Sequence, residues 1–109
     1  MVLTPFPFTD LAGAKVRPAV VVSRTDRPGS DVILAFVSSV VPPHLLPTDL
    51  LLSPSHADFG ASGLKVPSII KCDKLATVDR GVILGELGLL SASLLDEVDR
   101  RLKLALDLR

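Results

Sequence analysis

The chain contains no tryptophan and no tyrosine, and four phenylalanines are its only aromatic residues. A broad platform of rings for stacking nucleobases is therefore excluded. The single cysteine, Cys72, excludes an internal disulfide and fits a reducing compartment, so a cytoplasmic location is expected. Acidic and basic residues balance at 12 each. With no whole-molecule basic field, any site for a polyanion must be a local patch. No apolar run approaches the ~20 residues that span a bilayer, and no leader pattern opens the chain, so no membrane association is expected. His44 and His56 lack Cys or carboxylate partners at ligand spacing, so neither a metal nor a cofactor is expected. A glycine-rich strand-to-helix turn for phosphate and a nucleophile elbow are also missing.

Aliphatic side chains are plentiful. Hydrophobic residues make up 48% of the 109 residues, and the mean hydropathy is +0.48. The length suits one domain, residues 1–109, with a core of its own. A domain this small cannot hide so much apolar surface alone, which points to a partner surface and most simply to a homodimer.

Nine prolines and seven glycines break the first eighty-odd residues into short pieces, the punctuation of β structure. "MVLTPFPF" reads as a short first strand with Phe6 and Phe8 on one side. The chain starts inside that strand, so a shortened strand and a weakened sheet edge are expected. A small-residue loop, Thr9–Lys15, leads to "RPAVVVS". Pro18 lacks an N–H and suits a strand entrance. The β-branched run Val20–Val22 implies burial on both faces. After the turn-rich stretch 24–31 comes "DVILAFVSS", apolar on both faces and ending in Ser38 and Ser39. "DLLLS" is a short strand, and "PSHADFGASGLK" is a flexible loop. A further strand, Ser68–Asp73, has a continuation, and "RGVILGELGLLS" is short β or irregular structure.

The tail differs. Leu94, Leu95, Val98, Leu102, Ala105 and Leu106 recur at helical spacing, with Ser91 or Ser93 placed to cap. Asp96 and Glu97 precede Arg100, Arg101 and Lys103, the order that a helix dipole favours. The expected fold is mainly β, a small barrel closed by a C-terminal amphipathic helix.

Candidate chemistry gathers at strand ends. Lys15 and Arg17 enter one strand, Ser38 and Ser39 leave the next, and Lys71, Asp73 and Lys74 end a third. Antiparallel pairing through 24–31 brings Arg17 beside Ser38. Pattern alone favours the plainer reading of a solvated arginine, turn-forming serines and a buried, inert Cys72.

In that order, "VLTPFPFTDLAGAKVRPAVVVS", "DVILAFVSS" and "SIIKCDKLATVD" resemble the motifs of the MazF/PemK toxins of bacterial toxin–antitoxin modules, and "LLSASLLDEVDRRLKLALDL" resembles their closing helix. The resemblance covers essentially the whole chain. It implies an SH3-like barrel working as a homodimer and metal-independent, sequence-selective cleavage of single-stranded RNA. It also implies a cognate antitoxin, with operator DNA engaged only through the antitoxin complex. The family's catalytic arginine falls on Arg17 and its hydroxyl, commonly Thr, on Ser38. A basic–Cys–Asp segment falls on Lys71, Cys72 and Asp73, with Asp73 suited to act as base on the 2′-OH. Lys15, Ser39, Phe8, Asp10, Lys71 and Lys74 are the implied RNA contacts. Three features depart from the family: the start inside the first strand, Ala12 and Val16 where some members carry Glu or His, and Ser38 itself. They leave room for a weakly active or inactive member that binds antitoxin.

Overall fold

The computed structural model of the protein describes residues 1–5, 16–24, 26 and 28–108. The strands are β1 (Val2–Pro5), β2 (Val16–Val21), β3 (Asp31–Ser38), β4 (Asp49–Leu52), β5 (Ser68–Asp79) and β6 (Gly85–Glu86). One helical turn, α1 (Phe59–Ser62), follows β4, and a longer helix, α2 (Ala92–Ala105), ends the chain. The strands form one antiparallel sheet in the order β4-β5-β3-β2-β1-β6.

The uninterrupted apolar runs are buried on both faces, as their composition requires. Val20, Ala35, Val37, Ile70 and Cys72 join Leu94 and Val98 of α2 in the larger cluster. Ala19, Leu34 and Phe36, one residue out of phase, form a smaller cluster on the opposite face, half-covered by Val2, Val21, Val78 and Ile83.

The expected closed barrel is not formed. Among the described residues no ladder joins the edge strands β4 and β6. β6 has two residues and β4 four. The segment after β6 is instead tied to α1, with Leu89 N–H donating to the Ala61 carbonyl at 2.8 Å. Glycine makes this approach possible. Gly63 has φ +82°, and a Cβ there would strike the Leu87 carbonyl; one on Gly88 would strike the Ala61 and Ser62 backbone. The stretch expected to be a flexible loop, 54–65, folds over 54–63 into turns and α1. β1 is short but is not an edge, because it pairs with both β2 and β6.

Helix α2 starts where Ser91 Oγ accepts from Leu94 N–H at 3.2 Å. It lies on β5 and β4, and its contact with the sheet runs through Leu94, Val98 and Leu102. Leu95 and Leu106, counted in the apolar stripe from spacing alone, are exposed. A single ridge at four-residue intervals is enough for a helix that packs on the two strands β4 and β5.

Candidate functional site

Two backbone irregularities create a cleft at one end of the sheet. The first is Pro18, the third residue of β2 rather than its entrance. Lacking an N–H, it cannot donate to a neighbouring strand. The β2–β3 pairing accordingly starts one residue later, at Ala19↔Phe36. Continued by two residues, that register sets Arg17 opposite Ser38 beyond the last paired rung. The second is a bulge in β5. Phe36 pairs with Lys71, but the adjacent Ala35 pairs with Leu75, so Cys72, Asp73 and Lys74 have no partner on β3. Such an insertion bends a strand and re-aims its side chains.

The resulting cleft, about 390 Å³, is lined by Arg17, Ser38, Lys71 and Lys74 over a floor that includes Phe36, Val37 and Ile69, with Val40 and Pro42. Three cations and a hydroxyl therefore face one space, and among the described residues no carboxylate lines it. Ser38 Oγ accepts from Val40 N–H at 3.1 Å, which leaves its own O–H available to donate. A second cleft, of about 280 Å³, adjoins the first. Arg17 and Val37 line both, and Ser39 and Lys65 add polar groups to a mostly apolar wall that includes Leu3, Leu64 and Leu87.

Lys71 is held. Its Nζ lies 3.5 Å from Asp49 Oδ1, and the Asp49 side chain is 1% exposed. Cys72, the next residue on β5, points the other way and is wholly buried in the larger cluster. Burial pushes its thiol up to about 11, reinforced by Asp73 and Asp49 and opposed by Arg101. A thiol so shifted is neither a nucleophile nor a metal ligand at neutral pH.

Of the residues anticipated from sequence, Arg17, Ser38, Lys71 and Lys74 come together in the first cleft, and Ser39 lines the second. Asp73 is exposed on the bulge and does not line either cleft. Phe8, Asp10 and Lys15 lie outside the described residues. Sequence reasoning missed Asp49 and Lys65. Asp49 carried no local signal, since only the β4–β5 register, Asp49↔Lys71, shows what it faces. Among the described residues no group of three His, Cys, Asp or Glu side chains stands together to hold a metal. No described helix is long and apolar enough to cross a membrane.

The molecule is a small antiparallel sheet, covered by one C-terminal helix and opened by a proline and a bulge into a cationic cleft. The model of the PemK-like, MazF-like toxins of type II toxin–antitoxin systems matches residues 2–106, and the chain belongs to this family. Its fold is that of solved mycobacterial structures. One described as Mycobacterium tuberculosis toxin MazF-mt6 has a TM-score of 0.73 at 22% identity, over 100% of this chain and 99% of that one. Another, an endoribonuclease in complex with its cognate antitoxin from a mycobacterial species, has a TM-score of 0.70 at 21% identity, covering 99% and 93%. No curated protein matches the chain by sequence.

Proposed function

We propose that the protein is the toxin of a type II toxin–antitoxin module and a metal-independent, sequence-selective endoribonuclease acting on single-stranded RNA. The observation that carries this proposal is the convergence of Arg17, Lys71, Lys74 and the Ser38 hydroxyl on one cleft in a chain of this family. A molecule of zero net charge has placed three cations around one space. That arrangement suits a phosphodiester better than a neutral ligand. The solved structure described as an endoribonuclease in complex with its cognate antitoxin supports the same activity and partner.

RNA brings its own nucleophile, the 2′-OH. The enzyme must align that oxygen, neutralise the pentacoordinate phosphorus and manage two protons. The planar fork of Arg17 can hold two phosphate oxygens and stays charged throughout. The Ser38 O–H can donate to the same developing oxyanion, and Lys71 and Lys74 add positive potential. The 2′-oxygen forms a bond to phosphorus as the P–O5′ bond breaks. The 2′ proton passes to a base and the 5′-oxygen gains a proton, leaving a 2′,3′-cyclic phosphate and a 5′-hydroxyl. Guanidinium is a poor proton donor, which keeps Arg17 in the electrostatic role.

The test is to incubate the purified, antitoxin-free protein with a long single-stranded RNA in EDTA and map the cut ends. Defined cuts with cyclic phosphate termini are expected. Arg17→Ala should lower the rate by roughly a hundred- to a thousand-fold, the usual effect of losing an oxyanion donor. Intact RNA with folded protein would leave the chain an antitoxin-binding member without nuclease activity.

A further inference from the structure

Asp49 opens β4 at the edge of the sheet, and its carboxylate is buried. Its two oxygens differ. Oδ2 accepts from Leu46 N–H at 3.0 Å and closes the turn before the strand, where Asp49 N–H also donates to the Leu46 carbonyl at 2.9 Å. Among the described residues Oδ1 accepts no hydrogen bond, and its nearest cation is the Lys71 ammonium at 3.5 Å. Closing the turn needs one neutral acceptor, which asparagine or serine would supply. A buried carboxylate is costly unless a charge compensates it. The group answering that requirement is Lys71, itself a wall of the cationic cleft.

Asp49 is itself fixed from behind. Arg101 of α2 donates from Nε to the Asp49 carbonyl at 3.0 Å, and Arg101 Nη1 binds Glu97 Oε2 at 3.1 Å. The chain Glu97–Arg101–Asp49–Lys71 therefore runs from the C-terminal helix, through the edge strand, to the cleft. A lysine has a long stem with many rotamers, whereas one ion-paired to a fixed buried carboxylate has few.

We propose that Asp49 is a positioning residue. Its buried carboxylate holds the Lys71 ammonium at the mouth of the cleft, in place for a phosphate bound between Lys71, Arg17 and Ser38. This rests on the proposed ribonuclease activity for its substrate but not for the pairing itself. Because Asp49 acts through Lys71, removing its charge should lower turnover without weakening RNA capture, since the cleft becomes more positive.

The experiment compares Asp49→Asn, Lys71→Gln and the double variant in single-turnover and steady-state cleavage, with the ¹⁵N ammonium spectrum of lysine recorded alongside. Asp49→Asn should lower kcat about ten-fold with KM unchanged or reduced, and the double variant should be no slower than Lys71→Gln, as coupled residues behave. The Lys71 ammonium should be protected from exchange in the unaltered protein and lose that protection in Asp49→Asn. Additive losses, a raised KM with kcat unchanged, or a Lys71 signal indifferent to Asp49→Asn would each overturn the proposal. Where Lys71→Gln does not fold, the spectra of the unaltered protein and Asp49→Asn decide. If the unaltered protein leaves RNA intact, the ribonuclease proposal fails by itself and the spectra still judge the pairing.

Discussion

At the residue scale, adjacent side chains of β5 are sent to opposite fates. Lys71 faces the cleft, while Cys72 is buried against α2. Cys72 carries a pH consequence. Its thiol titrates near 9.0 in the unfolded chain and about 11 in the folded one. Between those values the unfolded state has lost its proton and the native state keeps it, so stability falls as pH rises. The loss should approach about 2–3 kcal/mol by pH 11, at roughly 1.4 kcal/mol per unit. Urea unfolding at pH 8 and pH 10.5 should show it, and Cys72→Ala should flatten that alkaline limb while lowering stability at pH 8 by leaving a small cavity. Ser38 and Asp73 separate by geometry. Ser38→Ala removes a hydroxyl that faces the cleft and should slow cleavage by roughly ten- to a hundred-fold, with Ser38→Thr retaining activity. Asp73 is exposed on the bulge and does not line the cleft. Asp73→Asn decides whether it takes the 2′ proton: a base predicts a fall of about a hundred-fold or more in kcat, and an unchanged rate removes it from that role.

At the element scale, the parts that place the site are departures from regular structure. The apolar runs of β2 and β3 could be read directly, because a β-branched stretch without alternation fits only a strand buried on both faces. Antiparallel connectivity likewise brought Arg17 beside Ser38, and the cleft contains both. The bulge was not legible. "KCDKL" has no local mark showing that Asp73 leaves the cleft while Lys71 and Lys74 enter it, since that depends on where the pairing with β3 breaks off after Lys71 and resumes at Leu75. Asp49 was hidden for the same reason, its meaning lying in register with a residue 22 positions away. Nor did helical spacing exclude Leu95 and Leu106 from the packed ridge, because spacing defines a face and the strands that the helix meets define how much of it is used. The helix start was readable, and it yields a test. Ser91→Ala removes the hydroxyl that accepts from Leu94 N–H. It should cost about 1 kcal/mol of stability by chemical denaturation and leave cleavage by the folded protein unchanged, since α2 touches the cleft only through Arg101 and Asp49.

At the scale of the whole molecule, the open sheet and the apolar excess belong together. The seam between β4 and β6 is bridged by α1 and the chain after β6, and among the described residues no ladder pairs the outer side of either edge strand. Unpaired edges and uncovered apolar side chains favour association. Among the described residues exposed leucines and valines are spread over the surface, and two groups of them lie close along the chain. One is the connection after β3, where Val40 is 75% exposed beside Val41, Leu45 and Leu46. The other is the end of α2, with Leu104, Leu106 and Leu108. The first borders the cleft, since Val40 and Pro42 line it. A second copy seated there would narrow the cleft's mouth and shield the cations from water, where their attraction for phosphate is stronger. A homodimer is therefore expected at micromolar concentration by light scattering coupled to size exclusion. Val40→Asp should shift it toward monomer and lower cleavage together, whereas Leu104→Asp should leave both unchanged. A monomer across the micromolar range would overturn the dimer. A dimer broken only by Leu104→Asp would move its interface to the end of α2, away from the cleft.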